Sequence, residues 1–191
     1  MNLLLSVCFV LAATPSGMAP LPAQYLQGKT FHSPDGWFTI EAPSADWEWF
    51  EMRAFDGEAD PRWPDGAHGT VGWYLRDPKP GGRSFVVMES YSPLAAMMDD
   101  KYMSSLEIDT RKGLTPDEAM SNFHAVRINV PTEDSIRFWY EVRKTSGETL
   151  YRFAYATGWQ HKVFILGFAP TPEEPRELKR TVVSLRWVQT P

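Results

Sequence analysis

Residues 136–142 have the sequence Ile-Arg-Phe-Trp-Tyr-Glu-Val, which gives the clearest structural pattern in the chain. Every second position holds Ile136, Phe138, Tyr140 or Val142, while Arg137, Trp139 and Glu141 occupy the positions between them. A period of two places alternate side chains on the same face of a β-strand. The stretch therefore predicts a strand that buries the face carrying the first set.

The chain that follows predicts two more strands. After a turn at Ser146-Gly147, residues 150–157 alternate again, and after a second turn at 158–161 the residues 163–166 are all apolar. A run without polar side chains is typical of a central strand covered on both faces. Because short turns favour antiparallel pairing, the last third of the chain predicts an antiparallel meander.

Earlier parts of the chain predict further strands. They are expected at 37–40, at 47–55, and in a hairpin whose strands, 70–76 and 84–91, are joined by a Pro- and Gly-rich turn. Proline supplies a fixed φ and glycine a positive one, as such a turn requires. The sheet is therefore expected to begin well before the meander.

Helices are predicted where capping residues precede an apolar stripe. Three segments fit: 93–112, a short helix opened by the capping-box spacing of Thr115 to Glu118, and 171–187. Together with the strands they predict an α+β protein, in which helices pack on an antiparallel sheet as a single-domain α/β/α sandwich.

Three segments also resemble a known fold group. GKTFHSPDGWFTIEAP (28–43) is similar to the opening of the PsbP-like group, and GWQHKVFILGFAP (158–170) with ELKRTVVSLRW (177–187) resembles its closing strand and helix. That group includes photosystem extrinsic subunits and many small exported bacterial proteins. The resemblance implies an α/β/α sandwich over about 28–188 and carries over no functional residue, because functions within one fold vary.

The N-terminus predicts export. Residues 1–19 contain an apolar run, Leu3 to Ala13, that is too short to span a bilayer and is followed by Pro15, Gly17 and Ala19. This pattern is typical of a signal peptide cleaved near Ala19, although no Lys or Arg precedes the run. A buried N-terminal element is the alternative. Cleavage would remove Cys8, the only cysteine, so the mature protein is expected to have no disulfide and no transmembrane span.

The expected mature chain has a lead-in at 20–27, taken as flexible, and one domain at 28–188. Export predicts a periplasmic or extracellular location. The whole chain of 191 residues has a formal net charge of −5. This charge argues against nucleic acid as a partner, because binding of the phosphate backbone requires a basic surface.

The sequence contains only fragments of known catalytic and ligand-binding motifs. Gly28-Lys29-Thr30 ends like a phosphate-binding loop but lacks its first glycine, and Asp56, Glu58 and Asp60 begin like a calcium loop whose later ligands are missing. The four histidines have no zinc-ligand spacing, and there is no Gly-x-Ser-x-Gly nucleophile elbow. We therefore predict no catalytic residue, metal site or cofactor.

One region is a candidate binding surface. Residues 46–68 combine seven acids with two bases and several aromatic residues. Tryptophan often anchors contacts, and charge steers partners. The predicted binding residues are Trp63, Asp56, Glu58, Asp60 and Asp65. The alternative is that the tryptophans fill the edge of the core beneath a charged loop.

These observations favour an exported, non-enzymatic binding or accessory module of the cell envelope, with an unknown protein or small ligand as its partner. The alternative is a small hydrolase-type enzyme whose site is assembled from distant residues. A deep pocket in which a histidine and a carboxylate converge would favour the enzyme. A purely structural envelope component is a third hypothesis.

Overall fold

The computed structural model describes residues 18–52, 70–91, 100–129, 135–158 and 161–188. They form twelve strands and two α-helices, with a 3-10 turn at Ala23–Tyr25. The strands are β1 (Met18–Pro20), β2 (Leu26–Gln27), β3 (Thr30–His32), β4 (Phe38–Glu41), β5 (Glu48–Met52), β6 (Thr70–Arg76), β7 (Ser84–Tyr91), β8 (Glu118–Ile128), β9 (Ser135–Lys144), β10 (Thr149–Gly158), β11 (His161–Ala169) and β12 (Arg186–Trp187). The helices are α1 (Asp100–Lys112) and α2 (Arg176–Ser184).

The strands form two antiparallel sheets. The larger has eight strands in the order β1-β5-β6-β7-β11-β10-β9-β8, and the smaller has four in the order β12-β4-β3-β2. The described residues are therefore mostly β with a little helix. The α+β prediction holds in that coarse sense, and the excess of strand over helix is as expected.

The large sheet separates two apolar cores. In β7, Phe85 and Val87 belong to one buried cluster and Val86 and Met88 to the other, as expected for neighbours that point to opposite faces. The first cluster also contains side chains from the small sheet and from α2, and the second contains Leu106 of α1. Both faces of the central strands are therefore buried.

The predictions for the last third of the chain are confirmed. Ile136, Phe138, Tyr140 and Val142 of β9 are all buried, and Arg137, Trp139 and Glu141 between them are partly exposed. The apolar run Val163–Leu166 lies in β11, between β7 and β10, and is buried throughout. The hairpin of β6 and β7 and the strand at β4 also form as predicted.

The prediction of a helix after Thr115 is wrong, because Glu118 begins strand β8. The capping-box contact does form, with Thr115 N–H donating to Oε2 of Glu118 at 3.3 Å, but it closes a turn. A bulge between Ser121 and His124, where Asn122 has a φ of 53°, breaks the alternation of the strand. This irregular spacing concealed the strand period in the sequence.

The last helix begins later than predicted. Residues 170–175 form bends and turns, and α2 starts at Arg176, directly after Pro175. Proline inside a helix lacks the N–H for the i−4 hydrogen bond and clashes with the preceding turn. Pro175 therefore sets the N-terminal end of α2. The inward residues Leu178, Val182 and Leu185 are buried as expected.

The second sheet and the first strand were not predicted. The segment 20–27, expected as a lead-in, contains buried Leu21 and ends in β2. Strand β1 pairs with β5, with Met18 opposite Met52 and Pro20 opposite Phe50. Cleavage near Ala19 would therefore fall within a paired strand. Residues 1–17 lie outside the described part, so the signal peptide stays a prediction.

Ile165 tests the central position of β11. It is 0% exposed, and Ile165→Ala removes buried methylenes and leaves a cavity, so we expect the free energy of unfolding to fall by about 2–5 kcal/mol. The matched control is Ile108→Ala on α1, where the side chain is 56% exposed and the change should be within about 0.5 kcal/mol. Urea denaturation measures both; equal losses would contradict the burial of β11.

Candidate functional site

Helix α2 is positioned by a close approach to β11. Gly167 faces Leu178, and a methyl group at this glycine would lie 2.8 Å from Cδ2 of Leu178 and 3.2 Å from Cδ1 of Phe85. A side chain at this position would therefore displace Leu178. The absence of a side chain at Gly167 permits the close packing of α2 on β11.

The contacts of Glu174 hold in place the segment that leads into α2. Its side chain is only 3% exposed; Oε1 accepts a hydrogen bond from the hydroxyl of Tyr155, and Oε2 lies 2.9 Å from Nη2 of Arg137. The second contact is an ion pair rather than an aligned hydrogen bond, because Oε2 has no hydrogen-bond donor. Nζ of Lys179 lies 3.5 Å from the same oxygen. A buried carboxylate thus links β9, β10 and α2.

Tyr155 remains protonated in this network. Burial raises the pKa of its hydroxyl well above the ordinary value, and the hydrogen bond to the Glu174 carboxylate raises that pKa further. A phenol held in its neutral form donates a hydrogen bond and does not serve as an ionised nucleophile. The arrangement around Glu174 therefore positions the helix.

A basic cleft lies between the exposed side of α2 and the small sheet. Its volume is about 540 Å³, and Thr30, Thr39 and Glu41 line the side formed by β3 and β4. Four basic residues surround these, against the single acid Glu41: Lys29, Lys179, Arg180 and Arg186. The cleft thus carries an excess of positive charge in a chain whose formal net charge is −5.

A second cleft adjoins the first. It has a volume of about 480 Å³ and is lined by the turn between β6 and β7, including Lys79 and Arg83, and by residues from the β4–β5 connection and α2. Pro43 and Arg180 line both clefts. Arg180 therefore stands at the boundary of two neighbouring depressions that share a wall.

Acidic neighbours pair with several of these cations; Lys179 lies near the buried Glu174 carboxylate, and the other pairs are at the surface. Lys29 is 2.5 Å from Glu41, and Arg83 is 2.5 Å from Glu177, with every one of these side chains about half exposed. Such exposed pairs contribute little, about 0–1 kcal/mol each, so an anionic ligand can compete for the cations. Within the described residues Arg180 has no acidic partner, which leaves its guanidinium available.

Arg186 has a different role from the other bases. Its Nη1 donates to the backbone carbonyls of Val183 and Leu185, at 2.7 Å in each case, where α2 ends. A cation at this position offsets the partial negative charge of a helix C-terminus. Lys29, Lys179 and Arg180 are therefore the cations available to a ligand in the first cleft.

The structure describes none of the residues predicted from the sequence as a binding surface. Trp63, Asp56, Glu58, Asp60 and Asp65 fall outside the described residues, as do the incomplete calcium-loop positions. The predicted surface therefore stays a prediction.

Sequence reasoning missed the basic cleft, although one signal was present. The segment Arg176–Arg186 contains four bases and one acid in an acidic chain. Lys29 was considered only as part of an incomplete phosphate loop. Among the described histidines, His124 stacks on Trp139 with ring centroids 5.0 Å apart. The described residues contain no group of three metal-ligating side chains and no helix long and apolar enough to cross a membrane.

Comparisons with known proteins support the fold alone. No protein-family model matches the sequence, and no curated protein matches it. The structure is similar to a protein from Bacteroides thetaiotaomicron VPI-5482, known from a crystal structure at 1.50 Å resolution. The TM-score is 0.52 at 16% identity, and the match covers 86% of this chain and 50% of the other. This chain therefore spans about half the length of that protein.

Tyr155→Phe tests the Glu174 network. At pH 7 the buried carboxylate loses its donor, so we expect the free energy of unfolding to fall by about 1–3 kcal/mol. The raised pKa of Tyr155 predicts that the native protein loses stability as pH rises above about 10, where only the unfolded phenol ionises, by up to about 1.4 kcal/mol per pH unit. The variant lacks this loss.

The gap between native protein and variant should therefore narrow at alkaline pH. Urea denaturation at pH 7, 10 and 11 measures it. A gap that stays constant across these pH values would mean that Tyr155 does not keep its proton in the folded protein, and the assigned hydrogen bond to Glu174 would be wrong.

Proposed function

We propose that this chain is an exported, non-enzymatic binding module whose basic cleft beside α2 takes an anionic ligand. The observation that carries the proposal is the concentration of Lys29, Lys179 and Arg180 around one cleft of an acidic protein. Paired opposite charges attract strongly only at close range in physiological salt. A local excess of cations therefore selects an anionic group in spite of the net negative charge.

The proposal also includes a detailed fold class and a cellular compartment. We interpret the two sheets and two helices as an α/β/α sandwich of the PsbP-like kind, with α1 and α2 on opposite faces of the large sheet. Leu106 in one core and Leu178 in the other support this arrangement. Export to the periplasm or the extracellular space rests on the signal-peptide pattern of residues 1–19.

The hydrolase-type alternative needs a histidine and a carboxylate that converge in one pocket. Neither the first nor the second cleft is lined by a histidine. The buried carboxylate Glu174 lies against Tyr155 and Arg137 instead. The positive charge of the cleft therefore favours binding as the function to test first.

Citrate and inorganic pyrophosphate are suitable probes of anion binding. The double variant Lys179→Gln, Arg180→Gln removes two exposed cations, of which, within the described part of the chain, only Lys179 has an acidic neighbour, Glu174. Its free energy of unfolding should therefore fall by no more than about 1 kcal/mol, while affinity for either probe falls by about tenfold. Arg143→Gln removes one exposed cation of β9 outside the cleft and should change affinity little. Calorimetry at low and physiological salt measures the three proteins. Equal binding by native protein and double variant would refute the proposal.

Export is tested by the mass of the protein in its native compartment. Cleavage near Ala19 predicts a mature chain that starts at about Pro20 and lacks Cys8. Intact-mass measurement of protein recovered from periplasmic or secreted fractions checks this. Recovery only from the cytosol, or with residues 1–19 retained, would refute export and leave the assignment of the cleft untouched.

A further inference from the structure

We infer that the ligand is an acidic oligosaccharide, a chain of sugars bearing carboxylate groups, that lies across both clefts with Arg180 at its middle. The inference rests on the proposed anion-binding function and adds the class of ligand and its course over the surface. Its basis is the continuity of the two clefts, which share Pro43 and Arg180 and together hold more space than a small ion fills.

Basic residues line both of the adjoining clefts. Lys29 and Lys179 lie in the first cleft, Arg180 at the boundary, and Lys79 and Arg83 in the second. Lys79 is largely exposed, and its Nζ lies 3.6 Å from Oδ2 of Asp46. Cations repeated along a path match a ligand whose negative charges are repeated along a chain. A single small anion would meet only one part of this path.

The uncharged groups of the clefts favour a sugar over a phosphate chain. Hydroxyl side chains from Thr30, Thr39 and Ser44 lie among the cations, and so do the carboxylates of Glu41, Asp77 and Glu177. Carboxylates repel the anionic groups of any polyanion, but they also accept hydrogen bonds from sugar hydroxyls, which a polyphosphate lacks. A ligand with both hydroxyl groups and spaced carboxylates can donate hydrogen bonds to the acids of the clefts and pair with their cations.

If the ligand spans both clefts, a longer ligand should bind more tightly than a short one. A short acidic sugar occupies one cleft, whereas a longer one places further carboxylates in the second cleft at high effective concentration. Digalacturonate and hexagalacturonate are the probes. For the native protein we expect the dissociation constant of the hexamer to be about tenfold or more below that of the dimer.

Variants locate the two ends of the ligand. Lys29→Gln in the first cleft should weaken the binding of both probes. Lys79→Gln in the second should weaken the hexamer about threefold and leave the dimer unchanged, because only the longer ligand reaches it. Arg143→Gln, outside both clefts, is the matched control and should alter neither. Calorimetry at fixed ionic strength gives the dissociation constants.

The outcomes separate this inference from the proposed function. Binding of citrate and of both galacturonates without a gain for the hexamer, or an unchanged hexamer affinity in Lys79→Gln, would overturn the extended course while leaving an anion-binding cleft. A length-dependent gain for polyphosphate or single-stranded DNA, but not for galacturonate, would overturn the sugar assignment. No binding of any anion would overturn both proposals.

Discussion

The contact between Gly167 and Leu178 lets α2 pack closely against β11. A Cβ at Gly167 would lie 2.8 Å from Cδ2 of Leu178, so the missing side chain leaves room for this leucine. Val182 and Leu185 reach the same core as Leu178, and the chain then leads into β12, which pairs with β4. The packing of α2 in this core thereby brings its basic residues beside the small sheet.

Two buried charge networks then define how the strands and loops align. On one face Glu174 joins Tyr155 and Arg137, and on the other Arg152 pairs with Glu118, with both side chains almost fully buried. Desolvation offsets much of the attraction in such pairs, so they contribute less to stability than their short distances suggest. If the strands aligned differently, however, one charged side chain would be buried without its partner. The cost of that unpaired charge disfavours any other alignment. The pairs therefore act mainly by fixing the start of β8 and the approach to α2.

What could be predicted from the sequence depended on the length and regularity of each pattern. Strand β9 alternates over seven residues and β11 has an unbroken apolar run, so both were predicted, together with their burial. The period of β8 is interrupted at Asn122, and a local capping-box motif suggested a helix that the sheet excludes. Strands β2 and β3 have only two and three residues, too few for any period to appear. The basic cleft joins Lys29 to residues of the last helix, and such proximity is visible only after folding.

The distribution of charge is compatible with the acidic ligand that we propose for this acidic protein. At physiological ionic strength the screening length is about 8 Å, so the net charge of the chain acts weakly on a ligand already in the cleft. Over that short range the three cations Lys29, Lys179 and Arg180 face two acids: Glu41, which pairs with Lys29, and the buried Glu174, which lies 3.5 Å from Nζ of Lys179. Among the described residues Arg180 has no acidic partner, so an excess of positive charge remains. In the proposed function, selectivity for an anion would come from this local excess, and it would weaken if the cations of α2 were removed.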